Sequence, residues 1–184
     1  MPQRIIRKAR LSDAHTIAAV HVSVSRVTYA SLLPAETLDQ FSLERRAKQW
    51  HETIKERDRT DATVFVAEDA ADNVVLGFAC CSRQHSEMLV EKGFNGEFQS
   101  IYVLPPAQGC GIGRTLMAEM ARYLSGLAIS GGACWVLREN GRARRFYEAL
   151  GGEIVGEQAL GPSPAAALTE VAYGWRHLDS LLSD

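Results

Sequence analysis

Residues 101–114 read IYVLPPAQGCGIGR, and the order of these residues decides how the chain is organised. Ile101, Tyr102 and Val103 are strand formers. Pro105 and Pro106 end that strand, because proline fixes φ and offers no backbone donor. Leu116, Met120, Leu124 and Leu127 then recur at helical spacing and predict a helix over 115–127. The hexapeptide QGCGIG at 108–113 therefore joins a strand to a helix. Gly109, Gly111 and Gly113 can adopt positive φ and let a ligand approach the backbone. The first amides of the helix have no intrahelical acceptor, and the helix dipole there favours an anion. Such a turn is a ready site for a pyrophosphate; a glycine-rich turn with no ligand is the competing reading. A Walker loop needs Gly-Lys-Ser/Thr, and Gly113-Arg114-Thr115 lacks the lysine. A dinucleotide fingerprint needs a third glycine where Arg114 stands.

Working outward, Ile5 and Ile6 mark a strand over 4–7. Ser12 and Asp13 offer N-caps to a helix over 13–27, carried by Ile17, Val20 and Val24. Pro34 can open a short helix, and Leu43, Ala47, Trp50 and Ile54 share one face of a helix over 42–57. The period then changes to strands over 63–68 and 74–82, joined by a turn at 69–73 and read as a hairpin. A strand over 94–103 leads into the glycine turn. After the helix come a strand over 133–137, a helix over 143–150 stopped by Gly151, and a strand pair over 153–157 and 168–175 linked by a loop at 161–164. This order implies an α/β fold: one mixed, mostly antiparallel sheet flanked by helices.

The chain has 184 residues, a length that suits a single domain. Its net charge of −2 gives no sign of a general nucleic-acid or membrane-surface binder. No apolar run is long enough to span a bilayer, and residues 1–11 do not read as a signal peptide. Cys80, Cys81, Cys110 and Cys134 contain no C-x-x-C spacing, and the five histidines show no zincin spacing, so no metal site is expected. A cytoplasmic location follows as the expectation.

Three segments together resemble the GNAT superfamily of acyl-CoA N-acyltransferases. Gln108-x-x-Gly111-x-Gly113 is similar to the family's Gln/Arg-x-x-Gly-x-Gly/Ala signature. Upstream, GEFQSIYVLP at 96–105 is similar to its cofactor strand. Downstream, Asn140, Ala143, Phe146-Tyr147 and Leu150-Gly151 resemble its second cofactor segment. His21, Arg26, Tyr29 and Leu32-Leu33-Pro34 resemble one bacterial branch, which usually has Trp at Ser25 and Phe at Gly152. The resemblance implies the GNAT fold over 1–184 and acetyl transfer from acetyl-CoA to a primary amine of a small molecule or peptide, in a ternary complex. A non-catalytic acyl-CoA sensor is the alternative, and a homodimer is a further possibility.

The resemblance also implies roles. The backbone of Ile101, Tyr102 and Val103 would pair with the pantetheine arm. Gln108, Gly109, Cys110, Gly111, Ile112, Gly113 and Arg114 would cradle the pyrophosphate, with Arg114 either meeting a phosphate or facing solvent. Asn140 would bond the cofactor near its reactive end, or cap a helix. A lysine-type amine, with a pKa of about 10.4, needs a base, and the leaving thiolate, with a pKa of about 8.5, benefits from an acid. Glu97 is the candidate base: it shares a strand face with Gln99, Ile101 and Val103, and many GNAT enzymes carry a glutamate there. A solvent-facing glutamate at a strand start is the competing reading. Tyr147 is the candidate acid, against a core tyrosine held by one hydrogen bond. A backbone amide near Val103 would serve the oxyanion. Arg26 and Tyr29 are placed at the substrate mouth; His21 is read as a packing residue. Arg142, Arg144 and Arg145 form either a solvated face or a contact to the 3′-phosphate.

Overall fold

The computed structural model describes residues 4–30, 32, 42–160 and 168–182. The expected helix at Pro34 and the 161–164 loop lie outside the described residues. Seven strands form one mixed sheet: β1 (Arg4–Lys8), β2 (Thr63–Asp69), β3 (Val75–Arg83), β4 (Gly96–Val103), β5 (Gly132–Leu137), β6 (Glu153–Leu160) and β7 (Leu168–Trp175). Their spatial order is β1-β2-β3-β4-β5-β7-β6. The pairs β1/β2, β2/β3, β5/β7 and β6/β7 run antiparallel, and β4/β5 runs parallel. The principal helices are α1 (Ala14–Tyr29), α2 (Leu43–Lys55), α3 (Glu87–Glu91), α4 (Ile112–Gly126) and α5 (Gly141–Ala149). The chain separates into two compact units, Met1–Ser82 with Ser100–Met120, and Arg83–Gln99 with Ala121–Asp184.

In the first unit the periodic positions do what their spacing predicts. Ile17, Val20 and Val24 of α1 are buried, and so are Trp50 and Ile54 of α2, which packs on α1. Each such side chain contributes roughly 1.5–3 kcal/mol through burial. They join Val64, Val66, Phe78 and Cys80 in one core. Cys80 and Cys81 point to opposite faces and are both fully buried, so β3 is covered on both sides. Leu43 departs from expectation and stays exposed: it is the first residue of α2, and the buried stripe begins a turn later, at Ala47. Asp13 departs too. Its carboxylate does not cap α1 but accepts from the Arg10 amide and takes two bonds from Arg7. The Arg7 guanidinium holds the Asp13 carboxyl below its usual range, and also bonds Glu68.

In the second unit β5 and β7 are the inner strands. One face, through Ala133 with Leu89, Phe94 and Ala172, builds a small core that Trp135 and Val155 join. Helix α3 has five residues, too short for a hydrophobic period to reveal it. Gly151 follows α5 at φ 76°, the left-handed stop its sequence position predicts. A Cβ on Gly152 would lie 2.7 Å from the Trp175 indole. That indole donates to the Leu150 carbonyl at 2.9 Å. Trp175 thus takes space that a side chain at 152 would need, which accounts for a glycine where the related branch carries phenylalanine.

Candidate active site

The first unit holds the glycine turn. After β4 the prolines make a single 3-10 turn, Pro105–Ala107, and Gln108 Nε2 donates to the Val103 carbonyl at 2.7 Å. That bond ties the turn back to the end of its strand. Gly109 and Gly111 sit at φ 74° and 83°, and a Cβ at either would meet nothing within 4 Å. Backbone conformation, not crowding, is what requires glycine at these two positions. Gly113 differs from expectation: α4 starts at Ile112, three residues earlier than its apolar spacing suggests, so Gly113 lies in the helix's first turn. The first rung is Thr115 N–H to the Gly111 carbonyl, 3.0 Å. The amides of Ile112, Gly113 and Arg114 precede that rung and have no intrahelical acceptor. They present partial positive charge, as a diphosphate requires. Arg114 itself is exposed.

A second cation stands beside the turn. Arg4, on β1, donates from Nη1 to the Cys110 carbonyl at 2.7 Å, and its Nε is buried without a hydrogen-bond partner. Arg4, Ile6, Cys110, Gly111, Ile112 and Thr115 line a cavity of about 210 Å³. Arg4 occupies a loop carbonyl that would otherwise oppose an anion. Reading the sequence alone does not reveal it, because the two residues are 106 positions apart.

Strand β4 offers this unit its backbone rather than its tyrosine. The Tyr102 ring packs against Phe78 at 5.3 Å and against His21 at 4.6 Å. Gly77 permits the close approach: a Cβ there would sit 2.7 Å from the Tyr102 carbonyl. Ile101 and Val103 are half-buried. His21 is a packing residue, as expected. Trp50 Nε1 donates to its Nδ1 at 3.1 Å, and burial, with the Arg46 charge adding to it, pushes its pKa down to about 4. Arg26 is exposed and Tyr29 half-buried at the end of α1, next to residues outside the described set.

The second unit holds Glu97, Asn140 and Tyr147. Glu97 is neither solvent-facing nor alone: its side chain is 18 % exposed, and its Oε2 lies 2.6 Å from His85 Nδ1. The parallel register sets Glu97 opposite Ala133, on the sheet face that also carries Trp135. Cys134 faces the other way. Tyr147 is buried at 7 % exposure and hydrogen-bonds the Cys134 thiol, and its ring lies against Tyr173 and Trp175. Burial pushes the thiol up to about 12, so Cys134 stays protonated. Asn140 caps α5, its Oδ1 accepting from the Ala143 amide at 3.1 Å. Arg144 is structural: it donates to the Tyr173 hydroxyl and the Arg138 carbonyl. Among the described residues no cluster of three or more His, Cys, Asp or Glu could hold a metal. His85 and Cys134 were not legible as site neighbours; only strand register and helix packing bring them in.

A glycine turn that frees helix amides, on a mixed sheet of this order, makes a site suited to an anion, and comparison with known proteins gives the family. The model of the Acetyltransferase (GNAT) family matches residues 29–152. The chain belongs to that family. An uncharacterized N-acetyltransferase of Bacillus subtilis, YuaI, is 33% identical over 176 residues, covering 96% of this chain and 95% of that protein. The PaiA N-acetyltransferase of Thermoplasma acidophilum, solved with coenzyme A, superposes with a TM-score of 0.71 at 19% identity, over 92% of this chain and 98% of that one. YncA of Salmonella typhimurium, a putative acetyltransferase solved with acetyl-CoA, gives 0.69 at 17% identity, over 99% and 95%. The two structures speak for the fold.

Proposed function

We propose that this chain, acting as one domain over 1–184, transfers the acetyl group of acetyl-CoA to a primary amine of a small molecule or peptide, with both substrates bound at once. The observation that carries the reading is the turn at Gly109 and Gly111, which frees the Ile112, Gly113 and Arg114 amides for a diphosphate. Arg4 adds charge beside them. Acetyl-CoA supplies the activated thioester. The β4 backbone at Ile101, Tyr102 and Val103 pairs with the pantetheine arm, and a backbone amide near Val103 donates to the thioester oxygen. Asn140 adds a hydrogen bond near the reactive end.

Glu97 takes a proton from the ammonium, which frees the nitrogen lone pair to attack the carbonyl carbon. The C–N bond forms and the C–S bond breaks. Tyr147 protonates the departing sulfur. Of the two protons that leave nitrogen, one ends on sulfur and one in water. The Cys134 thiol, protonated and bonded to the Tyr147 hydroxyl, keeps that hydroxyl oriented. Arg26 and Tyr29 stand at the substrate mouth. The cytoplasm is the proposed compartment, which suits four cysteines that form no disulfide with one another. Among the described residues, no helix is long and apolar enough to cross a membrane.

Steady-state acetylation across a broad amine panel tests the reading. Turnover on at least one primary amine is expected, with Tyr147→Phe lowering kcat. Tight acetyl-CoA binding with no turnover on any amine would instead make the chain an acyl-CoA sensor.

A further inference from the structure

We propose that His85 is a positioning residue for Glu97, holding one carboxylate oxygen so that the other faces the amine; this rests on the reading of Glu97 as base. The pair is short, 2.6 Å from Nδ1 to Oε2. An ionised carboxylate only accepts, so Nδ1 carries the hydrogen and donates. Oε1 is then the oxygen left to take the proton.

The residue before His85 builds the turn that aims it. Gln84 Oε1 accepts the backbone amides of His85 at 3.1 Å and Ser86 at 3.0 Å. Gln84 Nε2 donates to the Gly96 carbonyl at 3.3 Å, and the Gln84 amide donates to the Asn95 carbonyl at 2.9 Å. The first two bonds shape the turn, and the last two fasten it to the start of β4 and the residue before it, within two residues of Glu97. Packing does not explain the arrangement, since the imidazole is 69 % exposed. Stability does not explain it either, because an ion pair with so exposed a partner contributes little. What the pair does accomplish is orientation. A half-buried carboxylate with a fixed rotamer stays aligned with its proton, and misalignment of a reacting group is costly in rate.

The test is a kinetic cycle. His85→Ala is expected to lower kcat about 10-fold while KM for both substrates stays within about 2-fold. His85→Asn, whose Nδ2–H stands close to where Nδ1–H stood, should recover most of the loss. In a Glu97→Gln background, His85→Ala should cost almost nothing more, because the group it orients is gone. Full kcat in His85→Ala, or an Asn variant no better than Ala, would overturn the positioning role while leaving the base assignment intact. Full activity in Glu97→Gln alone would instead remove the base assignment, and the positioning role with it.

Discussion

The glycine turn and the Glu97–His85 pair are built by opposite means. The turn is made of backbone: contiguous residues, two left-handed glycines and a helix start present amides, and side chains matter little. The pair is made of side chains from a strand and a turn 12 residues apart, aimed by a glutamine's hydrogen bonds. A backbone site depends on φ, so it is sensitive first to residue shape, and the Arg4 charge adds to it from outside the turn. A side-chain site depends on register and protonation, so a single isosteric change silences it with the fold intact. That contrast separates binding from chemistry, and each half can be attacked alone.

The largest expected effect falls on the side-chain half. Glu97→Gln keeps the shape and removes the base, and kcat should fall about 10²–10⁴-fold. Thermal unfolding and acetyl-CoA affinity, measured by calorimetry, should hardly move. A large loss of acetyl-CoA affinity would mean that the two halves are not separable.

Next comes the response of the first unit to acid. The unfolded chain protonates His21 near the ordinary histidine value of 6.5, whereas the buried ring resists until about 4. Its pKa is lower in the folded state, so its contribution is fully present above about 6.5 and is lost as pH falls towards 4. The loss is on the order of 3 kcal/mol. Urea unfolding at pH 7 and pH 4.5 measures it, and His21→Phe should flatten the dependence.

Gly111→Val attacks the backbone half. A β-branched residue at φ 83° is strained by about 1–3 kcal/mol; a turn that relaxes to shed this strain must take it up again on binding, so acetyl-CoA should bind roughly 5–150-fold more weakly. Gly113→Ala, inside the helix, should bind within about 3-fold of the parent, because only the helical conformation is asked of it. Equal losses at both positions would mean that space, not conformation, makes the site.

Smallest is Asp13→Asn, which belongs to neither half. It weakens the Arg7 pair and should lower unfolding free energy by about 1–3 kcal/mol without changing KM.

The same contrast explains what could be read before the structure. The turn was legible because 101–114 carries the strand, stop, glycines and helix consecutively. Its one misreading, the helix start at Ile112 rather than 115, arose because Gly113 and Arg114 carry no apolar period. Glu97 was legible as a type of residue on a strand, but His85 was not, since nothing local says that Gln84 will bend the turn onto β4. Arg4 and Cys134 were invisible for the same reason: each meets a partner distant in sequence through tertiary packing. Tyr147 and Asn140 were legible by position, whereas the thiol beside Tyr147 and the cap made by Asn140 depend on how α5 packs and starts.

The central claim is that the amides at the start of α4 hold the diphosphate of the co-substrate. Amide NMR during titration with coenzyme A measures it directly. The resonances of Ile112, Gly113 and Arg114 should shift downfield and saturate together with binding, and ATP at equal concentration should shift them far less. Saturable coenzyme A binding that leaves these three amides unmoved would contradict it.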